Sequence, residues 1–346
     1  MTTTRSLSAV IVGAGLMGRW HADAARRAGA KVVGVVDLNA DRAAALARKV
    51  QSARTFERID EAVRDMAVDV VHVCTPLAMH ESVARAALVA GCHVLVEKPL
   101  TTDLASAEAL LSLAVERRLL LCPVHQFLFQ RGAIEAAREL ERIGPLRHLE
   151  MAVCSVGADM QPDRRDQVAL EILPHALAFA ARFCRDSMGY ADWFCERPAE
   201  GELIVIATVG DVAVSARISM RGRPPSNQLR LVAERGTIHI DLFHGFAVVD
   251  RSRASKAMKI AGPFIHSARL VAAAAGNLAV RTMRSERAYP GLRELVRRFY
   301  AAASGGLPAP IAPEETRRVM GAWDIIRRQL ASPPSPNRAL AKVMAE

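Results

Sequence analysis

Three glycines give this chain its clearest chemical signal. In Gly13-Ala14-Gly15-Leu16-Met17-Gly18 they stand at GxGxxG spacing, after the apolar run 8–12 and before a segment of helical composition, 17–28. Gly13 permits a tight turn, Gly15 lets the backbone approach a pyrophosphate, and Gly18 allows close packing of the helix. Leu16 and Met17 complete the loop at a helix N-terminus that faces the phosphates. Asp37 closes the next strand-like run, 31–36, at about the 20-residue distance where a carboxylate binds both ribose hydroxyls of an adenosine and repels a 2′-phosphate. The set predicts a dinucleotide site that prefers NAD(H). Arg42, a partner for such a phosphate, leaves NADP(H) open.

Other constellations are weaker. His72 and Cys74 alternate on one predicted strand, Cys92-His93 abuts a turn, and His239 and His244 flank Asp241 without zinc-type spacing, so no metal site is expected. There is no GxSxG elbow. The six cysteines contain no CxxC pair and read as small buried apolar residues.

The elements that must position these residues alternate. Strand patterns at 8–12, 31–36, 68–73, 93–96 and 119–122 are separated by helical ones at 17–28, 41–50, 80–90 and 104–117, and the strands are continuously apolar. That combination means a doubly wound parallel sheet covered on both faces. The rhythm stops near Pro123. A helix is expected at 131–142, a strand at 146–156, a helix at 166–184, and then strands at 192–196, 202–209, 212–220, 228–233, 237–242 and 246–250. Turn-like Val209-Gly210-Asp211 and Glu234-Arg235-Gly236 make their flanking strands antiparallel neighbours. Helices return at 265–284, 292–304 and 313–330. The expected fold is α/β: an N-terminal Rossmann domain (1–123), a C-terminal α+β domain with a large, mainly antiparallel open sheet (124–331), and a loose tail (332–346).

Cys74-Thr75-Pro76-Leu77-Ala78-Met79-His80 and Glu97-Lys98-Pro99-Leu100, taken with the segment 13–21, resemble the Gfo/Idh/MocA family of glucose-fructose oxidoreductase, inositol 2-dehydrogenase and rhizopine catabolism. The resemblance runs over the whole chain and implies pyridine-nucleotide redox chemistry on a sugar, cyclitol or sugar derivative, including phosphate-, nucleotide- or lipid-linked ones. It adds Thr75, Pro76, His80, Glu97 and Lys98 to the cofactor site. Hydride transfer at a C–OH carbon also needs a group that handles the hydroxyl proton. Lys98, at the carboxyl end of a parallel strand, stands where open α/β sheets bind ligands, and partial desolvation there lowers its pKa. In the family an Asp and a His four residues on project from one helix face, and Glu171 and His175 hold that spacing here. A carboxylate beside the imidazole would fix its tautomer and raise its pKa. Glu171, His175 and Lys98 are therefore the expected catalytic group, with Arg164, His125 and Gln126 at the substrate end; for His125 and Gln126 core packing is the equal alternative. The pattern is altered here. Asp163-Arg164-Arg165-Asp166-Gln167 replaces a glycine cluster, Glu171 the usual Asp, Leu173 a Gly and Ala178 an Asp, while Leu77 and Gly132 stand for Asn and Pro. These changes reshape the substrate end. A non-catalytic NAD-binding sensor on the same fold is the alternative function.

Composition bounds the rest. With 346 residues, 51% hydrophobic and 24% charged, the chain is of ordinary globular type and about two domains long. Its net charge of +10 invites a nucleic-acid reading, but residues 251–300 hold eleven basic and two acidic side chains, so nearly all the excess lies in one segment. No nucleic-acid partner is expected. For the segment three readings stand: helices packed on the second domain or between subunits, arginines binding an anionic substrate group, or peripheral contact with an anionic membrane surface. The start 1–6 has no secretory pattern, which makes a cytoplasmic location the expectation. The resemblance implies a homo-oligomer assembled through the C-terminal sheet.

Overall fold

The computed structural model describes residues 6–331 except 51–52, 158–159, 185–187, 189–190, 252–255, 287 and 306, and at 256–259 the backbone alone. The expected tail and two of the eleven basic residues, Arg253 and Arg287, lie outside the described residues.

Six strands, β1 (Ser8–Val12), β2 (Lys31–Val36), β3 (Arg54–Phe56), β4 (Val70–Val73), β5 (His93–Val96) and β6 (Leu121–Pro123), form one wholly parallel sheet in the order β3-β2-β1-β4-β5-β6. Their continuous apolar sequences follow from burial on both faces: Val10, Ile11, Val70, Val71, Val94 and Leu95 have no exposed surface. Helices α1 (Leu16–Arg27), α2 (Ala40–Lys49), α3 (Ile59–Asp65), α4 (His80–Val89) and α5 (Leu104–Glu116) make the crossovers. The chain leaves β1 toward β2 on one side and later returns to β4 on the other, and ligands of such sheets bind at that switch point. β3 and α3 were not expected; three and seven residues are too short for a periodicity to register.

Beyond β6, α6 (Arg131–Ile143) ends at Gly144, whose φ of 87° only glycine adopts readily. The second sheet follows: β7 (Leu146–Cys154), β8 (Phe194–Glu196), β9 (Glu202–Val209), β10 (Val212–Ser219), β11 (Ser226–Ala233), β12 (Gly236–Asp241) and β13 (Phe246–Arg251), in the order β13-β12-β11-β7-β10-β9-β8. β9 with β10 and β11 with β12 are antiparallel hairpins, as their turns predict, while β7 and β10 pair in parallel. The alternation of buried and exposed residues along β9 to β12 leaves one face of this sheet open.

The single helix expected over 166–184 is two, α7 (Pro162–Ile172) and α8 (Pro174–Phe183), divided at Leu173 because Pro174 has no N–H to donate. The helix expected at 265 begins at Lys256: α9 (Lys256–Met283) continues through Pro263. The last two helices, α10 (Leu292–Ala303) and α11 (Pro313–Ala331), turn back onto the first sheet's layer, where Arg293 bonds Asp23 of α1 and Arg317 bonds Glu108 of α5.

Candidate active site

The glycine loop crosses from β1 to α1 at the switch point and floors a cleft of about 720 Å³. Gly13 takes φ 96°, and a Cβ there would lie 2.5 Å from the Cys74 carbonyl oxygen; a Cβ on Gly18 would lie 1.9 Å from the Gly13 oxygen. Those two glycines serve the fold. Gly15 does not: a Cβ there meets nothing within 4 Å, so the bare backbone serves whatever enters the cleft. Asp37 holds the loop from the end of β2, its Oδ2 accepting from Ala14 N at 2.7 Å and its Oδ1 from Asn39 N at 2.8 Å. Leu16, Met17, Thr75 and Pro76 line the same cleft, with Arg42 and Arg58 at its Asp37 end. The Thr75 hydroxyl is buried and has no partner in the protein. A glycine kept bare for no reason of packing, amides at a helix N-terminus and a carboxylate at the ribose distance fit a dinucleotide.

His80 links the two loops named in the sequence, its Nδ1 2.8 Å from Pro99 O and its Nε2 2.9 Å from Thr75 O. Lys98 reaches across to the other domain, donating from Nζ to the Glu171 carbonyl at 3.1 Å. Pro174 is the reason that carbonyl region is open. A residue with an N–H at 174 would bond Leu170 O, which instead accepts from Trp323 Nε1 at 3.0 Å, and the break leaves Glu171 O to the lysine. Burial lowers the Lys98 pKa against the opposing pull of Glu97 and Glu171.

His175, at the start of α8, packs 4.2 Å from the Phe127 ring and 6.4 Å from the His125 ring. The expected pairing of Glu171 with His175 does not form. The helix break turns them apart, and the Glu171 carboxylate accepts from Gln167 at 2.9 Å with Arg164 at 3.7 Å. His175 Nδ1 has no partner in the protein, and its pKa lies well below the usual range through burial, then Lys98 and His125, where the paired carboxylate would have raised it. His125 is pushed down to about 3, mainly by burial, and its Nδ1 and Gln126 Oε1 are likewise buried without partners. Neutral His125 and His175 thus stand around the Lys98 ammonium with unused hydrogen-bonding atoms.

Behind Lys98 runs a buried row that the sequence did not reveal. Tyr300 OH lies 2.8 Å from His72 Nε2, His72 Nδ1 2.9 Å from His21 Nδ1, and His21 Nε2 3.1 Å from Glu97 Oε1. Burial alone would raise Glu97; His21 and Lys98 outweigh it and hold it below the usual carboxylate range. Burial and His21 keep His72 well below its ordinary value, and burial pushes the Tyr300 hydroxyl far up.

The profile of the oxidoreductase family with an NAD-binding Rossmann fold, Gfo/Idh/MocA, matches residues 7–125. The match is to the Rossmann part of that family and covers about a third of this chain. Among curated relatives, UDP-N-acetylglucosamine 3-dehydrogenase of Acidithiobacillus ferrooxidans is 38% identical over 147 residues, 40% of this chain and 45% of that protein. Inositol 2-dehydrogenase of Corynebacterium glutamicum is 40% identical over 118 residues, 34% of each chain. The matched stretch thus spans less than half of these relatives. Fold similarity runs further: the solved structure of the Acidithiobacillus ferrooxidans enzyme superposes with TM-score 0.71 at 22% identity over 94% of this chain and 97% of that one. A levoglucosan dehydrogenase in complex with NADH and levoglucosan gives 0.75 at 16% over 94% and 98%. Of the residues that carry the resemblance, Thr75 and Pro76 line the glycine cleft, and His80 ties Thr75 to the Glu97-Lys98-Pro99 turn.

A second cluster lies apart from this cleft. His239 of β12, Asp250 of β13 and His266 of α9 bring their ligand atoms within 4.8 Å of one another, and Arg269 donates to Asp250 at 3.2 Å. With its counter-cation supplied by the protein, this group reads as the clamp of α9 on the sheet edge.

Proposed function

We propose that this chain is an NAD(H)-dependent oxidoreductase acting between C–OH and C=O on a sugar, cyclitol or sugar derivative, with residues 1–123 binding the dinucleotide and 124–331 the substrate. The relatives named above act, by their names, on such compounds. The observation that carries the reading is the Lys98 ammonium held at the domain junction near the neutral ring of His175, whose buried Nδ1 has no partner in the protein. Bound nicotinamide supplies the hydride acceptor or donor. When an alcohol is oxidised, His175 takes the hydroxyl proton and Lys98 stabilises the oxygen by hydrogen bonding; in reduction both steps reverse. Glu97 keeps the ammonium oriented, Glu171 contributes its main-chain carbonyl, and Arg164, His125 and Gln126 contact the substrate. Asp37 favours NAD(H), while Arg42 and Arg58 beside it admit NADP(H) more weakly. We further propose a cytoplasmic protein, assembled as a homo-oligomer through the open face of the second sheet.

Fluorescence titration should give a lower Kd for NADH than for NADPH, followed by a screen of oxidised sugars, cyclitols and nucleotide sugars for NADH consumption. Lys98→Met should cut turnover by about a hundredfold or more and leave NADH affinity nearly unchanged. Turnover at the parental rate would refute the assignment.

A further inference from the structure

Both carboxylate oxygens of Glu97 face N–H groups. Oε1 accepts from His21 Nε2 at 3.1 Å, and Oε2 accepts from the main-chain N–H of Lys98 at 3.3 Å. A protonated carboxyl would need an acceptor for its own hydrogen, so this surrounding suits the anion. The imidazole on Oε1 has no freedom to leave. His21 has no exposed surface, and its other ring nitrogen lies 2.9 Å from His72 Nδ1, whose far nitrogen is 2.8 Å from the Tyr300 hydroxyl. Three elements, α1, β4 and α10, thus fix one donor against one carboxylate oxygen.

Glu97 is in turn the carboxylate that acts most strongly on Lys98, ahead of Glu171. The Glu171 carboxylate is taken up by Gln167, with Arg164 at 3.7 Å. The other groups that face Glu97 and Lys98 are uncharged near neutral pH. Burial pushes the Cys74 thiol and the Tyr289 hydroxyl up, and the His80, His125 and His175 rings down. A buried carboxylate that loses its donor takes up a proton, and the charge that favours the neighbouring ammonium goes with it. We propose that His21 is a positioning residue: held by His72 and Tyr300, its Nε2–H keeps Glu97 an anion bound to the Lys98 main chain, and that anion keeps Lys98 an ammonium at the domain junction. The proposal takes from the functional reading only that Lys98 acts on the substrate oxygen, and its test does not use turnover.

The chain has six lysines, and Lys98 is only partly buried. Competitive acetylation of the full chain with acetic anhydride from about pH 6 to about pH 11, read peptide by peptide in a mass spectrometer, therefore titrates the Lys98 amine. His21→Asn places its amide where the ring's Nδ1 stood and falls short of Glu97, whereas the longer His21→Gln reaches it. The Asn variant should titrate Lys98 about one pH unit lower, roughly a tenfold gain in free amine, and the Gln variant should match the parent. Glu97→Gln should produce the drop by itself, and His21→Asn added to it should change nothing further. Parental labelling of the Asn variant, equal drops in the Asn and Gln variants, or additive effects of His21→Asn and Glu97→Gln would overturn the proposal. If His21→Asn does not fold alone, a Lys98 unmoved by Glu97→Gln overturns it as well. Parental turnover in Lys98→Met would instead overturn the role of Lys98 in the reaction, which the labelling does not read.

Discussion

A methyl group on Gly15 would enter open space, whereas one on Gly18 would strike the main chain of Gly13. The two glycines of one motif therefore fail differently. Gly15→Ala should keep its melting temperature and lose NADH affinity by about tenfold, since it disturbs only what approaches the loop. Gly18→Ala should lose about 1–3 kcal/mol of stability in urea titrations, the usual cost of overpacking. Equal melting temperatures for the two variants would contradict this division. At this scale the sequence was informative where spacing is local: the glycines, Asp37 and the Glu-Lys-Pro turn are read within a few residues of one another. Tyr300 could not be read, because its partner His72 lies 228 residues away.

At the level of elements, the site depends on the interruption between α7 and α8. Pro174 was visible in the sequence, but which groups would take the carbonyls it frees was not, since Lys98 comes from the loop after β5 of the other sheet and Trp323 from the last helix. The i, i+4 rule for Glu171 and His175 failed for the same reason: it presumes one unbroken helix. Trp323→Phe keeps most of the buried ring but leaves Leu170 O without a donor, and should cost about 1–3 kcal/mol of unfolding free energy. An unchanged urea midpoint would mean that solvent replaces the indole at this carbonyl. The parallel character of the first sheet followed from the alternating pattern, while the parallel pairing of β7 and β10 has no local signature, since a crossover leaves no mark on either strand.

For the molecule as a whole, acid should be the destabilising direction. His72, His125 and His175 are all held below the ordinary histidine value of about 6.5, mainly by burial. Once the pH drops under that value the unfolded chain takes up protons that the folded rings refuse. Each ring then costs about 1.4 kcal/mol per pH unit until its folded pKa is reached. Urea unfolding at about pH 5.5 should show roughly 4 kcal/mol less stability than at about pH 7.5. A flat profile over that interval would show that these rings accept protons in the native state. The two-sheet plan was legible from the change of texture after Pro123, but the return of α10 and α11 to the first sheet was not, because an amphipathic pattern says that a face is covered and not by what.

That return gives the buried row a direction. A carboxylate can only accept, so His21 Nε2 must carry a proton toward Glu97. With His21 neutral, its Nδ1 then accepts from His72 Nδ1, and His72 Nε2 accepts the Tyr300 hydroxyl: every hydrogen points from the last helices toward the loop that bears Lys98. One proton added at His21 turns His72 to its other tautomer and makes Tyr300 an acceptor from that ring. The protonation state of a residue in α1 is thereby written into the orientation of a hydroxyl on α10.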